Sequence, residues 1–264
     1  MDDANRSFGI RISKFDLSLF HEIPSQTDDN DRKSLLVIQN AVRNSKESYV
    51  YLEIGSHLGG SIQTHLLDPR CRKIYSIDKR PEIQLDERWP EGDKYPGNCT
   101  KAMIDNLKRI SGDLTKITCF DCDASDINIT GIEPKPDICF IDGEHTSEKT
   151  ISDFNFCKSV LNANGLIVFH DSSVIFKAIR TIIADLKRRG EKFKRYFLCG
   201  SIFIISFADA VINEDKDIAL MRNKMQPTSL MRWLLWTLIP NVRTRLKIRN
   251  IINRLRRFSK FEFD

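Results

Sequence analysis

The chain has 264 residues, 41% of them apolar and 29% charged, with a formal net charge of +5. That length accommodates one α/β domain and an appendage, and that balance excludes a chain disordered throughout. The charge is uneven: from Arg222 onward 11 Lys/Arg stand against 2 Asp/Glu, a net of +9, which leaves −4 for everything before it, so a basic nucleic-acid-binding face on the main body is disfavoured.

Residues 1–48 read as an N-terminal helical segment. The opening MDDANRSFGIRISKFDL lacks the basic start, apolar stretch and small-residue cleavage site of a secretion signal. No run of about 18 apolar residues follows anywhere, so a cytoplasmic protein without a transmembrane helix is expected. Seven scattered cysteines fit reduced thiols. Cys119 and Cys122 form a C-x-x-C without a second pair or histidines at zinc spacing, and read as structural. In DDNDRKSLLVIQNAVRNS, Leu35, Leu36, Ile38 and Val42 suit an amphipathic helix, with Asp29 or Asp31 as its cap.

Residues 49–210 alternate between strand and helix patterns. YVYLEI (49–54) predicts a strand, and a helix begins over Ser61–Leu67. KIYSID (73–78) predicts a second strand, TKAMIDNLKRI (100–110) a helix, and KITCFD (116–121) a third strand. Residues 86–100 read as a loop over the carboxyl face of the sheet. DICFID (137–142) predicts a strand buried on both faces, followed by a helix over 150–161, a strand over 166–171 and an amphipathic helix over 174–190. Two apolar runs around Gly200 predict a hairpin. The expected fold class is α/β, a doubly wound and mostly parallel seven-stranded sheet that ends in an antiparallel hairpin, with residues 211–264 a basic helical extension.

Ligands of such sheets bind beyond the carboxyl ends of the strands. Those ends carry Glu53, Asp78, Asp121 with Asp123, Asp142, and His170-Asp171. An acid at or near each of them is more than packing requires. Gly55 and Gly59 in EIGSHLGGS allow a tight turn and a close approach of the backbone to a ligand. The spacing departs from G-x-G-x-x-G, and Glu53 before the turn suits a cationic ligand better than a pyrophosphate. Asp78 at the second strand end can accept hydrogen bonds from ribose hydroxyls, and Asp123 can reach an adenine amino group. A ribose, an adenine and a cationic tail together describe S-adenosylmethionine.

With EIGSHLGGS, SIDKRP, CDASD, DICFIDGEHTSEKTISDF and NGLIVFHDSS in this order, the chain resembles the class I S-adenosylmethionine-dependent methyltransferases over about residues 49–207. The last two segments are most similar to the small-molecule and sugar O-methyltransferases of the macrocin and cephalosporin-pathway branch. The resemblance implies that Glu53 and the Gly55 backbone hold the methionine end, Asp78 the ribose, and Asp123 and Ala124 the adenine. Ser56, Gly59, Ser61 and Asp142 join them as cofactor-binding positions. Related O-methyltransferases hold magnesium on three side chains from the next two strand ends, here Asp142, His170 and Asp171. Relatives carry an acid where His170 stands, so manganese is an alternative to magnesium, and a hydrogen-bonded, non-ligating His170 is the other reading. Glu144 matches the catalytic base of related sugar methyltransferases, with His145 its rival. His57 is expected in a loop, His65 on a helix surface, and His21 without a partner.

The expected acceptor is a small molecule or glycan. In the tail, Trp233, Trp236 and an apolar stripe at Ile248, Ile251, Ile252 and Leu255 lie among arginines. Residues 229–260 therefore read either as a contact with the inner face of a membrane or as packing on the domain or in a homo-oligomer. The rival functions are a metal-independent methyltransferase with His145 as base and a non-catalytic cofactor-binding scaffold. A nucleotide-dependent oxidoreductase is disfavoured by the missing G-x-G-x-x-G.

Overall fold

A computed structural model describes residues 3–208 and 210–222. Its elements are α1 (Asp3–Ser13), α2 (Asp29–Ser45), β1 (Tyr49–Ile54), α3 (Ile62–Leu67), β2 (Cys71–Ile77), β3 (Ile83–Asp86), β4 (Trp89–Lys94), α4 (Thr100–Ile110) and β5 (Ile117–Phe120). They continue with β6 (Ile138–Ile141), α5 (Ser147–Val160), β7 (Leu166–Phe169), α6 (Phe176–Arg188), β8 (Phe193–Phe197), β9 (Phe203–Phe207) and α7 (Lys216–Arg222).

Seven strands form one sheet in the order β5-β2-β1-β6-β7-β9-β8. Pairing is parallel from β5 through β7, and β9 runs antiparallel to both β7 and β8. The expected hairpin therefore closes one side of the sheet. Every residue of β1 is buried, as a central parallel strand requires. Alternation sends Tyr49 and Tyr51 into an apolar layer with residues of α2, α3, α4 and α7. Val50 and Leu52 enter the opposite layer, with Phe154 of α5 and Ile179 and Ile182 of α6. From β1 the chain builds outward through β2 to β5, then returns to β6 on the other side of β1. The order reverses between β1 and β6, which opens a crevice at their carboxyl ends.

Local chemistry sets the helix boundaries. Asp28 is the N-cap of α2; its side chain accepts from the Asn30 and Asp31 amides at 2.8 and 3.0 Å, and Asp31 returns the bond to the Asp28 amide in a capping box. The expected caps, Asp29 and Asp31, thus lie inside the helix. In α6, Ile179, Ile182, Ile183 and Leu186 form the buried stripe, and Gly190 follows with φ +68°.

Two expectations are corrected, for the loop 86–100 and for His65. Part of the expected loop 86–100 belongs to an antiparallel hairpin, β3–β4. Helix α1 adds Phe8 and Ile12 to a small core with Leu19, Phe20 and Leu36. His65 is buried rather than on a helix surface, its ring stacked on Tyr51 at 3.6 Å and its Nδ1 3.0 Å from the Tyr49 hydroxyl. No helix among the described residues is long and apolar enough to cross a membrane. The basic tail, with Trp233, Trp236 and the arginine cluster, lies outside the described residues.

Candidate active site

The first strand end is built around Gly55. Its φ of +90° is open to glycine, and a Cβ there would lie 2.2 Å from the Asp142 carbonyl oxygen. The cofactor-type loop and the strand end that carries Asp142 are therefore in backbone contact. Glu53 is fully buried beneath this loop. Its carboxyl accepts from the Tyr51 hydroxyl at 2.7 Å and from the Ser61 hydroxyl. Burial pushes its pKa up to about 8, against the lowering effect of those two bonds. The Ser56 and Ser76 hydroxyls bond at 2.6 Å. Gly59 has φ +88° and packs on Met103 and Leu107.

Asp78 accepts from the His57 amide at 2.9 Å and the Arg80 amide at 2.8 Å, one on each carboxylate oxygen. Oδ1 keeps a further lone pair for a ligand hydroxyl, while Oδ2 also accepts from Arg80 Nη1 at 3.4 Å. Sequence reading missed Arg80. Its buried guanidinium donates to the His57 carbonyl at 2.5 Å and to the Ser56 hydroxyl at 3.2 Å, and lies 3.4 Å from Asp78. Arg80 thus ties the turn after β1 to the end of β2. The only advance signal was a basic residue just after the strand-end acid.

A solvent-open cleft of about 360 Å³ lies beyond these ends, lined by Gly55, Asp78, Asp123, Ala124, Glu144 and Lys149 among others. That is the lower end of small-molecule sites. Asp123 accepts from the Ser125 amide at 3.0 Å and from Lys149 at 2.6 Å. Burial raises its pKa, but Lys149 and Ser125 outweigh it and hold the carboxyl at about 2. Lys149 also pairs with Asp153 one helical turn on. Burial pushes Asp153 up to about 6, and its Oδ2 has no hydrogen-bond partner among the described residues. Lys149→Met is expected to lower stability by about 2 kcal/mol, because two close carboxylates lose their shared cation. Urea unfolding at neutral pH measures this; an unchanged midpoint would show the pairing to be energetically idle.

The ends of β6 and β7 converge as expected. One donor atom from each of Asp142, His170 and Asp171 falls within 4.8 Å of the others. His170 Nδ1 lies 2.8 Å from Asp142 Oδ1 and 3.4 Å from Asp171 Oδ2, while Nε2 lies 3.2 Å from Asp31 Oδ2. Burial lowers the His170 pKa, but Asp142, Asp171 and Asp31 together raise it well above the usual histidine value. Asp171 has a left-handed backbone, φ +46°, a strained conformation often stored at functional sites. Two carboxylates and one imidazole form a mixed oxygen–nitrogen set that fits a borderline divalent cation. To accept one, His170 must present Nδ1 without its proton.

The two candidate bases separate. Glu144 pairs with Lys79 at 2.9 Å, accepts from Thr146 at 2.8 Å, and lines the cofactor-type cleft. His145 has Nδ1 3.0 Å from Asp86 Oδ2 and Nε2 3.4 Å from Asp171 Oδ2. Burial lowers its pKa, while Asp86, Asp171 and Asp142 raise it above the usual value. Asp86 comes from the unexpected hairpin and also carries Arg88. The hairpin is stitched to this segment: the His145 amide donates to the Leu85 carbonyl at 3.2 Å, the Glu87 amide to the His145 carbonyl at 3.3 Å, and Gln84 Nε2 to the Gly143 carbonyl at 2.6 Å. Asp86, His145 and Asp93 also form a compact donor group. Reading 83–94 as a hairpin would have singled out Asp86; alternating Ile83 and Leu85 were the available signal.

The sheet order, the glycine turn at its reversal and the acids at its strand ends are those of the class I S-adenosylmethionine-dependent methyltransferase fold. Residues 52–172 match the model of a family described as "Methyltransferase domain". Over 148 residues the chain is 27% identical to an uncharacterised protein of Acanthamoeba polyphaga mimivirus, covering 54% of this chain and 62% of that one. It thus spans less than two thirds of that relative's length. Among solved structures it is similar to a Streptomyces achromogenes O-methyltransferase involved in tomaymycin synthesis, in complex with SAM, at 14% identity over 79% of this chain and 91% of that one, TM-score 0.49. It is also similar to an SAH-bound Podospora anserina methyltransferase, at 14% identity over 79% of this chain and 89% of that one, TM-score 0.49.

Proposed function

We propose that this chain is a metal-assisted O-methyltransferase that moves the methyl group of S-adenosylmethionine to a hydroxyl of a sugar, glycan or other small polar acceptor. The observation that carries this reading is the direct contact between two sites. Gly55 of the cofactor turn touches the backbone of Asp142, whose side chain belongs to the donor group with His170 and Asp171.

In this reading Asp78 holds the ribose, and Asp123, fixed by Lys149, faces the adenine end. Asp142, His170 and Asp171 hold the cation. S-adenosylmethionine supplies an electrophilic methyl, and a divalent cation would lower the acceptor hydroxyl pKa and offset the carboxylate charge that raises the His145 pKa. His145 Nε2 then takes the hydroxyl proton, while Asp86 on Nδ1 fixes the ring and its tautomer. The hydroxyl oxygen, held in line, attacks the methyl carbon as the carbon–sulfur bond breaks. Glu144 is assigned to the cofactor cleft, through its pairing with Lys79, rather than to proton transfer.

One observation favours a metal-independent variant: both His170 nitrogens face carboxylates, so an imidazolium can itself neutralise Asp142 and Asp171. Calorimetric titration with S-adenosylhomocysteine, first in chelator and then with magnesium or manganese, separates the readings. Binding in chelator, plus a further heat with metal that Asp142→Ala and Asp171→Ala lose, is the expected result. Cofactor binding without any metal heat would favour the variant, and no binding at all would favour the scaffold reading.

A further inference from the structure

Asp31 stands 139 residues before His170 in the chain, outside the 52–172 segment, yet its carboxylate is built into the same cluster. It is buried at the N-terminal turn of α2. Oδ2 meets His170 Nε2 at 3.2 Å. Oδ1 accepts from the Ser201 amide at 2.6 Å and the Ser201 hydroxyl at 3.0 Å. Ser201 in turn reaches the other candidate ligand. Its hydroxyl oxygen accepts from the Asp171 amide at 3.2 Å, and its carbonyl accepts from the Ser172 amide at 2.9 Å. Gly200 makes room for this arrangement: it has φ +77°, and a Cβ there would lie 2.2 Å from Asp31 Oδ1.

We propose that Asp31 is the positioning residue of the cation site: it fixes the His170 ring through Nε2 so that Nδ1 faces Asp142 and Asp171, and through Ser201 it holds the backbone of Asp171. This rests on the reading of Asp142, His170 and Asp171 as a cation site. A histidine with one nitrogen on a metal commonly gives the other N–H to a carboxylate, which sets ring orientation and tautomer. Here that carboxylate comes from the N-terminal segment, so α2 completes a site whose ligands all lie in the methyltransferase domain. The strained Asp171 backbone explains why a second anchor is useful. The Ser201 hydroxyl holds the Asp171 amide, and its backbone carbonyl the Ser172 amide, just where the chain adopts φ +46°.

The test is titration of the full chain with Mn2+ alone at fixed pH, with free Mn2+ followed by paramagnetic resonance. Wild type, Asp31→Asn, Ser201→Ala and Asp142→Ala are compared, and S-adenosylhomocysteine affinity is measured beside each. Asp31→Asn is expected to weaken Mn2+ binding about 10- to 100-fold while leaving S-adenosylhomocysteine affinity unchanged; Asp142→Ala abolishes Mn2+ binding. A purely structural Asp31 would lower the melting temperature without moving the Mn2+ affinity of the folded protein, and that result overturns the proposal. If Asp31→Asn does not fold, Ser201→Ala decides, with a weakening of about 3- to 10-fold expected and no change overturning the idea. A wild type that binds Mn2+ no better than Asp142→Ala removes the cation site itself, and the proposal with it.

Discussion

Gly55→Ala is expected to abolish S-adenosylhomocysteine binding and to cost on the order of 3 kcal/mol of stability. Two effects add. The residue holds φ +90°, which an L side chain rarely adopts, and its new methyl would overlap the carbonyl oxygen of Asp142 at 2.2 Å and the Gly143 nitrogen at 2.8 Å. Those are backbone atoms of the neighbouring strand end, so no side-chain rotation relieves the clash. The turn must shift, and with it the wall of the cleft. Gly131→Ala is the matched control, because among the described residues, its two chain neighbours aside, no atom lies within 4 Å of the place its methyl would take; it should stay within about 0.5 kcal/mol of wild type. Urea unfolding and calorimetry on the pair measure both effects. If Gly55→Ala matched its control, the contact between the turn and the Asp142 strand end would not be what holds the cleft together.

Glu53 should make stability fall as pH rises. Its folded pKa is raised from 4.5 to about 8, with burial the leading cause. Between those values the unfolded chain gives up the proton and the folded chain keeps it, so the native state binds more protons and the slope of stability against pH is negative. The contribution is fully present below about pH 4.5, declines through neutrality and is lost above about pH 8. Its full size is on the order of 5 kcal/mol. Glu53→Gln removes the titration and keeps the shape, and the hydroxyls of Tyr51 and Ser61 can rotate to suit an amide. The variant should therefore gain on wild type between about pH 5 and 8. A constant difference across that range would mean that Glu53 ionises normally. The same shift couples to ligand binding, since a cationic cofactor nearby favours the ionised carboxylate. Binding of S-adenosylmethionine near neutral pH should then release protons, seen as a dependence of the binding heat on the buffer's ionisation enthalpy.

Most of the sheet was legible because its strands are apolar runs that stop at an acid. DICFID and LIVFHD show where β6 and β7 end, and the ends are where the chemistry lies. Helix α4 was readable to the residue because Met103 and Leu107 set its buried side and the following residues break the pattern. Hairpin β3–β4 was not, because its own apolar residues, Ile83 and Leu85, stay half exposed and it is held by hydrogen bonds to residues 143–145 instead. Sequence spacing carries no trace of such a partner. His65 misled for a related reason. A histidine at the end of a short helix normally faces water, and the ring of Tyr51, two strand positions before Glu53, together with the Tyr49 hydroxyl, explains its burial. Arg80 and Asp31 act through contacts that close in three dimensions; Asp31 read only as a candidate helix cap, and neither residue's spacing nor type pointed to the site.

Hairpin β3–β4 lies on a single stretch of chain between β2 and α4, touches no strand of the main sheet through ladder pairing, and yet delivers Asp86 to His145. Lengthening or exchanging such an insert costs little closure entropy and leaves the sheet register alone. The wall beside His145, the proposed base, is thus a replaceable part bolted onto a fixed chassis. A lineage could retune which molecule is modified by rewriting a dozen or so residues, without renegotiating how the methyl donor is held.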